Sequence, residues 1–333
     1  MAKGQMIAAI AALVLAGGAQ AADDAIPASQ APARIGECVN MANMMESPTE
    51  GAWGRKIADD DFAIIARAGF KTVRLPVAFG AHAATAAPYT IDPAFMDRVV
   101  HVVGLAEKAH LGLILDLHND DALFSDPAGE ALRLAAMWRQ IAARFKDAPA
   151  NVWFEITNEP HDKLTNANLM ATLGPSLAAI RATNPTRKVV IGGEDWSGID
   201  SLATLELPDD PNLVTTFHYY LPMKFTHQGA SWVHPTPPPL GATFGSAADI
   251  AQLDANVAKA KAYMARTHRP LFLGEYGAYD KTIPTKERAA YYKAVHDAFG
   301  RAGINGCVWG YTSSFKFRDG DHWIEPLMKA IGL

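Results

Sequence analysis

Two glutamates, Glu159 and Glu275, each stand at the end of an apolar run of strand length. Their surroundings read Thr-Asn-Glu-Pro at 157–160 and Leu-Gly-Glu-Tyr-Gly at 273–277. Two carboxyl groups that reach a bound sugar from opposite sides can cleave a glycosidic bond, because one protonates the departing oxygen while the other attacks the sugar or activates water. The two glutamates are therefore the candidate catalytic pair.

The neighbours of Glu159 suit a proton donor. Asn158 comes directly before it and is expected to hydrogen-bond the 2-hydroxyl of the sugar, a contact that strengthens in the oxocarbenium-like transition state. His218 ends a later apolar run and is expected to lie close enough to tune the carboxyl group. We therefore predict that Glu159 is the acid/base.

The neighbours of Glu275 suit a nucleophile. Arg74 and Tyr220 also follow apolar runs, and a positive charge and a phenol hydrogen bond both favour an ionised carboxylate. We therefore predict that Glu275 is the nucleophile. Other polar or aromatic residues at predicted strand ends would open into the same mouth of the fold. Of these, His118 is predicted to support catalysis, and Asn40, Asn43 and Trp309 are predicted to contact substrate.

These residues need a scaffold that brings the ends of many strands together. Apolar runs of strand length occur at 36–41, 72–75, 112–117, 152–157, 189–192, 213–217, 271–274 and 306–309. Helical patterns follow most of them, such as the stripe of Leu134, Trp138, Ile141 and Phe145 and the start signal Asp92-Pro93. Strands that alternate with helices favour a parallel sheet covered on both faces. We expect a single-domain α/β fold, the (β/α)8 TIM barrel, with a doubly wound open sheet as the alternative.

Composition limits the classes of partner. The 333 residues include 30 Lys and Arg against 35 Asp and Glu, a net charge of −5, and 49% are hydrophobic, which excludes a disordered chain. Nucleic acid is not expected as a partner, because phosphate binding needs a clustered excess of positive charge. The histidines show no metal-ligand spacing, and the two-carboxylate reaction needs no metal or cofactor. A neutral or weakly charged substrate is expected.

Residues 1–21 have the organisation of an export signal. A lysine supplies the positive start, residues 6–16 the apolar stretch, and Ala-Gln-Ala at 19–21 a small-residue cleavage site. The alternative, a membrane anchor, has too short an apolar run to cross about 30 Å of hydrocarbon. We expect residues 22–34 to be a short leader and 35–333 the catalytic domain of a secreted or periplasmic protein that is free of the membrane after cleavage.

The ordered set of motifs resembles the endoglucanases of glycoside hydrolase family 5, retaining (β/α)8 enzymes of the large clan A. The matching motifs are Val39-Asn40-Met41-Ala42-Asn43 with Glu46, Val73-Arg74-Leu75-Pro76, Leu115-Asp116-Leu117-His118, Asn158-Glu159-Pro160, His218-Tyr219-Tyr220, Gly274-Glu275-Tyr276-Gly277 and Val308-Trp309. The resemblance implies a retaining endo-β-1,4-glucanase that acts on β-glucan, and we expect it to be a monomer.

The resemblance also implies sugar contacts. The segment 224–232 is similar to a loop of bacterial endoglucanases, some of which also cut mannan, and this likeness implies that His227, Trp232 and Trp196 contact substrate. Aromatic rings suit this role because the apolar faces of pyranose rings stack on them. Trp309 is expected to be the floor under the cleaved sugar. For each tryptophan the alternative is an ordinary packing role.

Two departures from the family pattern leave the substrate preference open. The chain has Asn119, a candidate sugar contact, where these endoglucanases often carry a second histidine. It also has Trp309-Gly310-Tyr311 where Trp-Glu-Phe is common after the eighth strand. The alternatives are a β-mannanase or a broad-specificity glucanase/mannanase. A sugar-binding barrel that has lost catalysis is the alternative from another class.

The two cysteines, Cys38 and Cys307, fall on the predicted first and last strands. These strands lie side by side when a barrel closes, so a disulfide is geometrically possible. Two cysteines do not make a disulfide framework, and buried thiols are a common state of small core cysteines. We expect free thiols.

Overall fold

The computed structural model describes Met1, residues 35–118 and residues 120–333. The rest of the predicted signal peptide, the predicted leader and the predicted sugar contact Asn119 lie outside the described residues. The strands form a closed parallel barrel in chain order, which confirms the predicted (β/α)8 fold. The strands are β1 (Cys38–Asn40), β2 (Thr72–Val77), β3 (Gly112–Leu117), β4 (Val152–Glu155), β5 (Val189–Gly192), β6 (Leu213–Tyr219), β7 (Leu271–Tyr276) and β8 (Gly306–Val308).

Helices connect the strands. They are α1 (Asp61–Arg67), α2 (Pro93–Lys108), α3 (Asp121–Ser125), α4 (Pro127–Arg144), α5 (Leu169–Arg181), α6 (Glu194–Ser197), α7 (Met223–Thr226), α8 (Ala247–Thr267), α9 (Thr285–Gly300) and α10 (Glu325–Ala330). The fifth connection is made by the short α6 and a 3₁₀ turn at Ile199–Ala203, and a small antiparallel ribbon of β9 (Arg318–Asp319) and β10 (His322–Trp323) follows β8. No helix in the described part of the chain is both long enough and apolar enough to span a bilayer.

Local sequence signals fix where helices begin. Asp92 accepts a hydrogen bond from the amide of Phe95, and Pro93 takes the first position of α2, as the sequence predicts. At the start of α8, Ser246 and Asp249 form a reciprocal capping box. Each cap satisfies backbone amides that would otherwise lack partners.

Side chains along each strand alternate between the helices and the barrel axis. Outward residues such as Val73 and Leu75 of β2 join one large apolar core with the helices. The inward residues near the amino ends of the strands form a second, smaller apolar cluster. This lower layer consists of Ile35, Cys38, Ile114, Val190, Val214, Phe272 and Cys307, with Trp153 packed against it.

Cys38 and Cys307 form a disulfide in this lower layer, so the expectation of free thiols is wrong. The two residues are register partners on β1 and β8, and their Cα atoms are 4.2 Å apart. Register partners in neighbouring parallel strands point to the same side, so both sulfur atoms face the axis at one level. The sequence places the cysteines on adjacent strands but does not contain the register that brings them together.

Candidate active site

The carboxyl groups of Glu159 and Glu275 meet at the carboxyl ends of the strands. Glu159 lies in the loop after β4, and Glu275 lies in β7 close to its end. One oxygen of each carboxyl group and one ring nitrogen of His218 all lie within 4.8 Å of one another. Carboxyl groups about 5 Å apart are typical of retaining glycosidases, whereas inverting enzymes hold them about 6.5–9.5 Å apart. The spacing therefore suits direct attack by one carboxylate.

Both oxygens of Glu275 accept hydrogen bonds from the residues predicted to support it. Arg74 donates from Nη1 to Oε1 over 2.7 Å, and the Tyr220 hydroxyl donates to Oε2 over 2.9 Å. The Glu275 side chain is only 5% exposed. A carboxylate held by a guanidinium and a phenol in this way has a fixed orientation and remains a hydrogen-bond acceptor, as a nucleophile requires.

Glu159 is in hydrogen-bond contact with His218. The Oε1 atom of Glu159 lies 2.6 Å from Nδ1 of His218. Burial raises the pKa of Glu159 to about 7, and burial lowers the pKa of the His218 imidazole to about 4. Between those pH values Glu159 therefore carries its proton and the imidazole of His218 is neutral. This is the protonation state that a general acid needs.

Arg74 is the centre of a buried charge cluster beneath the two glutamates. Its guanidinium binds Glu155 in bidentate fashion, with Nε–Oε2 of 2.7 Å and Nη2–Oε1 of 2.9 Å, and its Nη2 lies 3.0 Å from Oδ2 of Asp116. Burial alone would lower the pKa of Arg74, but Asp116, Glu155 and Glu275 together raise it well above its ordinary value. Arg74 is therefore a permanent cation, and three acids determine its orientation.

Sequence reasoning assigned no role to Asp116 or Glu155. Both lie inside apolar runs that look like ordinary buried strands, and burial raises the pKa of each to about 7, although the Arg74 charge opposes the shift. A signal was nevertheless present. An acid two residues before a strand-end polar residue shares its face of the strand, and Asp116 stands in this position before His118.

His118 and Asn158 connect this cluster to Trp309, the predicted floor under the cleaved sugar. Nδ1 of His118 lies 2.6 Å from Oδ2 of Asp116, and Nε2 lies 3.2 Å from the Asn158 amide nitrogen. Asn158 in turn accepts a hydrogen bond of 2.7 Å from Arg74. The His118 ring stacks on the half-buried Trp309, with ring centroids 5.8 Å apart. The predicted support residues are therefore in one contiguous network, and the Trp309 ring borders it.

The two asparagines at and after the end of β1 have different surroundings. Asn40 is fully buried, accepts a 3.0 Å hydrogen bond from Arg74 and donates to backbone carbonyls of β7 and β8. Its predicted role as a sugar contact is therefore wrong, because neither end of its amide is available to a ligand. Asn43 is half-buried, and its amide donates to the hydroxyls of Ser313 and Ser314 in the loop after β8. Its role as a sugar contact stays a prediction.

Trp196 lies at the rim on the Glu159 side. It is 53% exposed, its backbone amide donates to the carbonyl of Pro160, and its ring stacks on His161 with centroids 4.9 Å apart. Nδ1 of His161 lies 2.6 Å from the backbone carbonyl of Glu159, so this histidine links the ring to the predicted acid/base. Sequence reasoning gave His161 no role, because no spacing rule distinguishes it from the other histidines.

Trp232 and His227 belong to an aromatic group near Glu275. Trp232 is 46% exposed and packs edge-on against Tyr279 with ring centroids 4.8 Å apart. His227 is largely buried and packs edge-on against Tyr220, the hydroxyl donor to the predicted nucleophile. Trp232 therefore has area to offer a sugar, whereas His227 mainly supports Tyr220. Their roles as sugar contacts stay predictions.

Comparison with known proteins agrees with this geometry. The family described as Cellulase (glycosyl hydrolase family 5) matches residues 34–314. Endoglucanase H of Acetivibrio thermocellus is 35% identical over 276 residues, which are 83% of this chain and 29% of that protein. This chain thus spans less than a third of the length of that relative.

Two solved structures share most of their length with this chain. A hyperthermophilic endo-beta-1,4-glucanase in complex with substrate is 37% identical, with a TM-score of 0.87 over 90% of this chain and 97% of its own. Cel5A of Thermotoga maritima in complex with cellobiose is 34% identical, with a TM-score of 0.87 over 89% of this chain and 97% of its own. On the match over residues 34–314, this chain belongs to glycosyl hydrolase family 5.

Proposed function

We propose that this protein is an endo-β-1,4-glucanase that hydrolyses glucan with retention, with Glu159 as acid/base and Glu275 as nucleophile. The observation that carries the proposal is the approach of the two carboxyl groups to within 4.8 Å. Glu275 is held as a hydrogen-bond acceptor, and burial raises the pKa of Glu159 to about 7. The relatives named endoglucanase support the choice of substrate.

The first step forms a glycosyl ester. A carboxylate oxygen of Glu275 attacks the anomeric carbon while the bond from that carbon to the bridging oxygen breaks, and Glu159 gives its proton to that oxygen. Arg74 and Tyr220 keep the Glu275 carboxylate oriented for this attack. In the second step the Glu159 carboxylate takes a proton from water, the water oxygen attacks the anomeric carbon, and the ester to Glu275 breaks.

The stereochemistry of the first product tests the mechanism. Proton NMR during hydrolysis of cellotetraose is expected to show the β-anomer first, with the α-anomer appearing only by mutarotation. An initial α-anomer would refute retention and with it the role of Glu275 as nucleophile.

Removal of the nucleophile tests the residue assignment. Glu275→Gln is expected to abolish turnover while cellotetraose still binds, because glutamine preserves the volume but cannot form the ester. If Glu275→Gln retains turnover, the assignment is wrong. If wild type binds glucan but releases no reducing ends, the protein is a sugar-binding barrel and not an enzyme.

A broader specificity that includes β-mannan is the second candidate function. Cel5A of Thermotoga maritima, 34% identical to this chain, was also solved in complex with mannotriose. Turnover of carboxymethylcellulose, barley glucan, xyloglucan and glucomannan, measured side by side, distinguishes a strict glucanase from a broad one and from a mannanase.

We further propose that residues 1–21 direct export, that residues 35–333 form the single catalytic domain and that the mature protein is a secreted or periplasmic monomer. The motivating observation is the charged start, apolar stretch and small-residue cleavage site of the sequence. Expression of the full chain in a bacterial host, with mass spectrometry and light scattering of the exported protein, is expected to give a monomer that begins at Ala22. An uncleaved chain in the membrane fraction would refute the export signal.

A further inference from the structure

One strand of the barrel breaks the alternation of inward and outward side chains, and it is the strand that carries Glu275. In β7, Phe272 belongs to the inward lower layer and Leu273 to the outward core. Strict alternation would therefore direct residue 274 inward and Glu275 outward towards the helices. The structure has the opposite order, since Glu275 binds Arg74 inside the barrel and Tyr276 packs on Tyr292 of α9.

The strand register identifies the cause. Between β6 and β7, Phe217 pairs with Leu273 but His218 pairs with Glu275, so β7 contains one residue more than its neighbour. Between β7 and β8, the pairing again shifts by one residue between Leu273 and Tyr276. An extra residue in one strand, relative to both neighbours, is a β-bulge. The extra residue opposite the Phe217–His218 step is Gly274.

We propose that Gly274 is a positioning residue: the bulge at Gly274 turns the nucleophile into the barrel, and only glycine leaves room for it. A methyl group at position 274 would lie 2.5 Å from Oγ1 of Thr216 and 2.8 Å from Nε2 of His218. Real side-chain carbons do not approach their neighbours so closely, so the strand or the His218 ring must move if residue 274 has a side chain. The inference rests on the proposed role of Glu275.

The same position is tied to both halves of the site. The Gly274 carbonyl accepts a 3.1 Å hydrogen bond from Asn40, whose amide oxygen accepts from Arg74. On the other side, the His218 ring that faces Gly274 lies 2.6 Å from the carboxyl group of Glu159 through its other nitrogen. A displacement at Gly274 therefore disturbs the nucleophile and the proton donor together.

The variant Gly274→Ala tests the proposal, with Gly306→Ala as the matched control. Gly306 also lies in a barrel strand, and a methyl group there would meet Tyr276 at 2.9 Å and Leu273 at 3.2 Å. Both of those side chains belong to the outward core, so the control introduces a milder clash on the outward face of the strands. Both variants crowd a barrel strand, Gly274→Ala more tightly than Gly306→Ala, and they differ in the face of the strand that the added methyl group affects.

The informative assay measures nucleophilic attack alone. A 2-deoxy-2-fluoro-β-cellobioside with an activated leaving group is expected to label wild type at Glu275, as read by peptide mass spectrometry. A displacement of about 1 Å can reduce a rate about 100-fold, so labelling of Gly274→Ala is expected to be slower by about that factor. Binding of cellobiose, a product that is not turned over, should change little by calorimetry, and Gly306→Ala should be labelled at close to the wild-type rate.

The outcomes separate the two proposals. If wild type is not labelled at Glu275, the proposed function fails and the inference fails with it. If wild type is labelled and Gly274→Ala is labelled equally fast, or if Gly306→Ala is slowed as much, the positioning role alone is overturned.

If Gly274→Ala does not fold, the same comparison is made between Thr216→Ala and the double variant Thr216→Ala/Gly274→Ala. The double variant removes the contact at Thr216 and leaves the contact with His218. Slower labelling of the double variant supports the proposal, and equal labelling overturns it.

Discussion

Glu155→Gln tests whether the buried acids beneath the site hold the nucleophile through Arg74. At about pH 8, above the pKa of about 7 to which burial raises Glu155, the wild-type carboxylate accepts from both Nε and Nη2 of Arg74. Glutamine keeps one acceptor and turns the other into a donor that faces an arginine N–H. One charge-assisted hydrogen bond, about 1.5–3 kcal/mol, is lost, and a buried donor left without a partner costs about 1–3 kcal/mol more.

Part of this loss is offset, because glutamine does not carry the buried charge whose desolvation raises the pKa of Glu155, and Arg74 keeps Asp116 and Glu275 as partners. The expected net loss in the free energy of unfolding is therefore about 1–3 kcal/mol. Glu50→Gln is the matched control, because Glu50 binds Arg98 in the same bidentate way, at 3.0 and 2.8 Å, but on the partly exposed surface. A pair near the surface, with side chains 28% and 14% exposed, is expected to contribute about 1 kcal/mol. Urea unfolding of both variants at the same pH gives the comparison.

The link to catalysis appears in the steady-state kinetics of the same variants. Rotation of Arg74 shifts Glu275, so kcat of Glu155→Gln on cellotetraose is expected to fall about 10–100-fold with little change in KM. The reasoning is refuted if Glu155→Gln loses no more stability than Glu50→Gln, or if it loses stability while kcat stays at the wild-type value. In the second case Glu155 would contribute to folding only.

Three further predictions concern the proton donor, the pH range and the disulfide. Glu159→Gln should reduce turnover of cellotetraose about 10²–10⁴-fold. On aryl cellobiosides whose leaving groups need no proton, the variant should slow the first step much less. An equal loss on both substrates would contradict the role of Glu159 as the acid. Because burial raises the pKa of Glu159 to about 7 and the acid must be protonated, kcat/KM should fall as pH rises through about 7, and a rate still increasing at about pH 8.5 would refute this assignment. Cys38→Ala/Cys307→Ala should lower the free energy of unfolding by about 2–5 kcal/mol, since the bridge closes a loop of 269 residues. The value of kcat should be preserved because the bridge lies in the lower layer of the barrel and the glutamates lie at the strand ends, and an unchanged urea midpoint would contradict the prediction.

The sequence predicts the strands and the central contacts of the site well. Each apolar run becomes a barrel strand, and the contacts of Arg74 and Tyr220 with Glu275 and of His218 with Glu159 occur as expected. These predictions succeed because polar residues at the carboxyl ends of buried parallel strands meet at one mouth. The type of a residue and its position along its strand are sufficient for that inference.

The features that the sequence does not predict depend on register between strands. The disulfide needs Cys38 and Cys307 at one level of the barrel. The burial of Asn40 follows from the register between β1 and β2, in which Asn40 pairs with Arg74. The bulge at Gly274 is likewise a property of three strands together. A one-residue slip reverses every side chain of a strand, so such features require the pairing itself.

The Cys38–Cys307 bridge also determines what happens when the backbone is cut. The bridge joins the first strand to the last, so almost every connecting loop of the barrel lies between its two cysteines. A protease that cleaves the exposed proline-rich stretch at 235–239 would yield two polypeptides that remain covalently attached. The nicked protein would migrate as one species on a gel without reductant and separate into two after reduction. Glu159 would lie on one polypeptide and Glu275 on the other, and the disulfide would keep these two halves of the catalytic centre together after the cut.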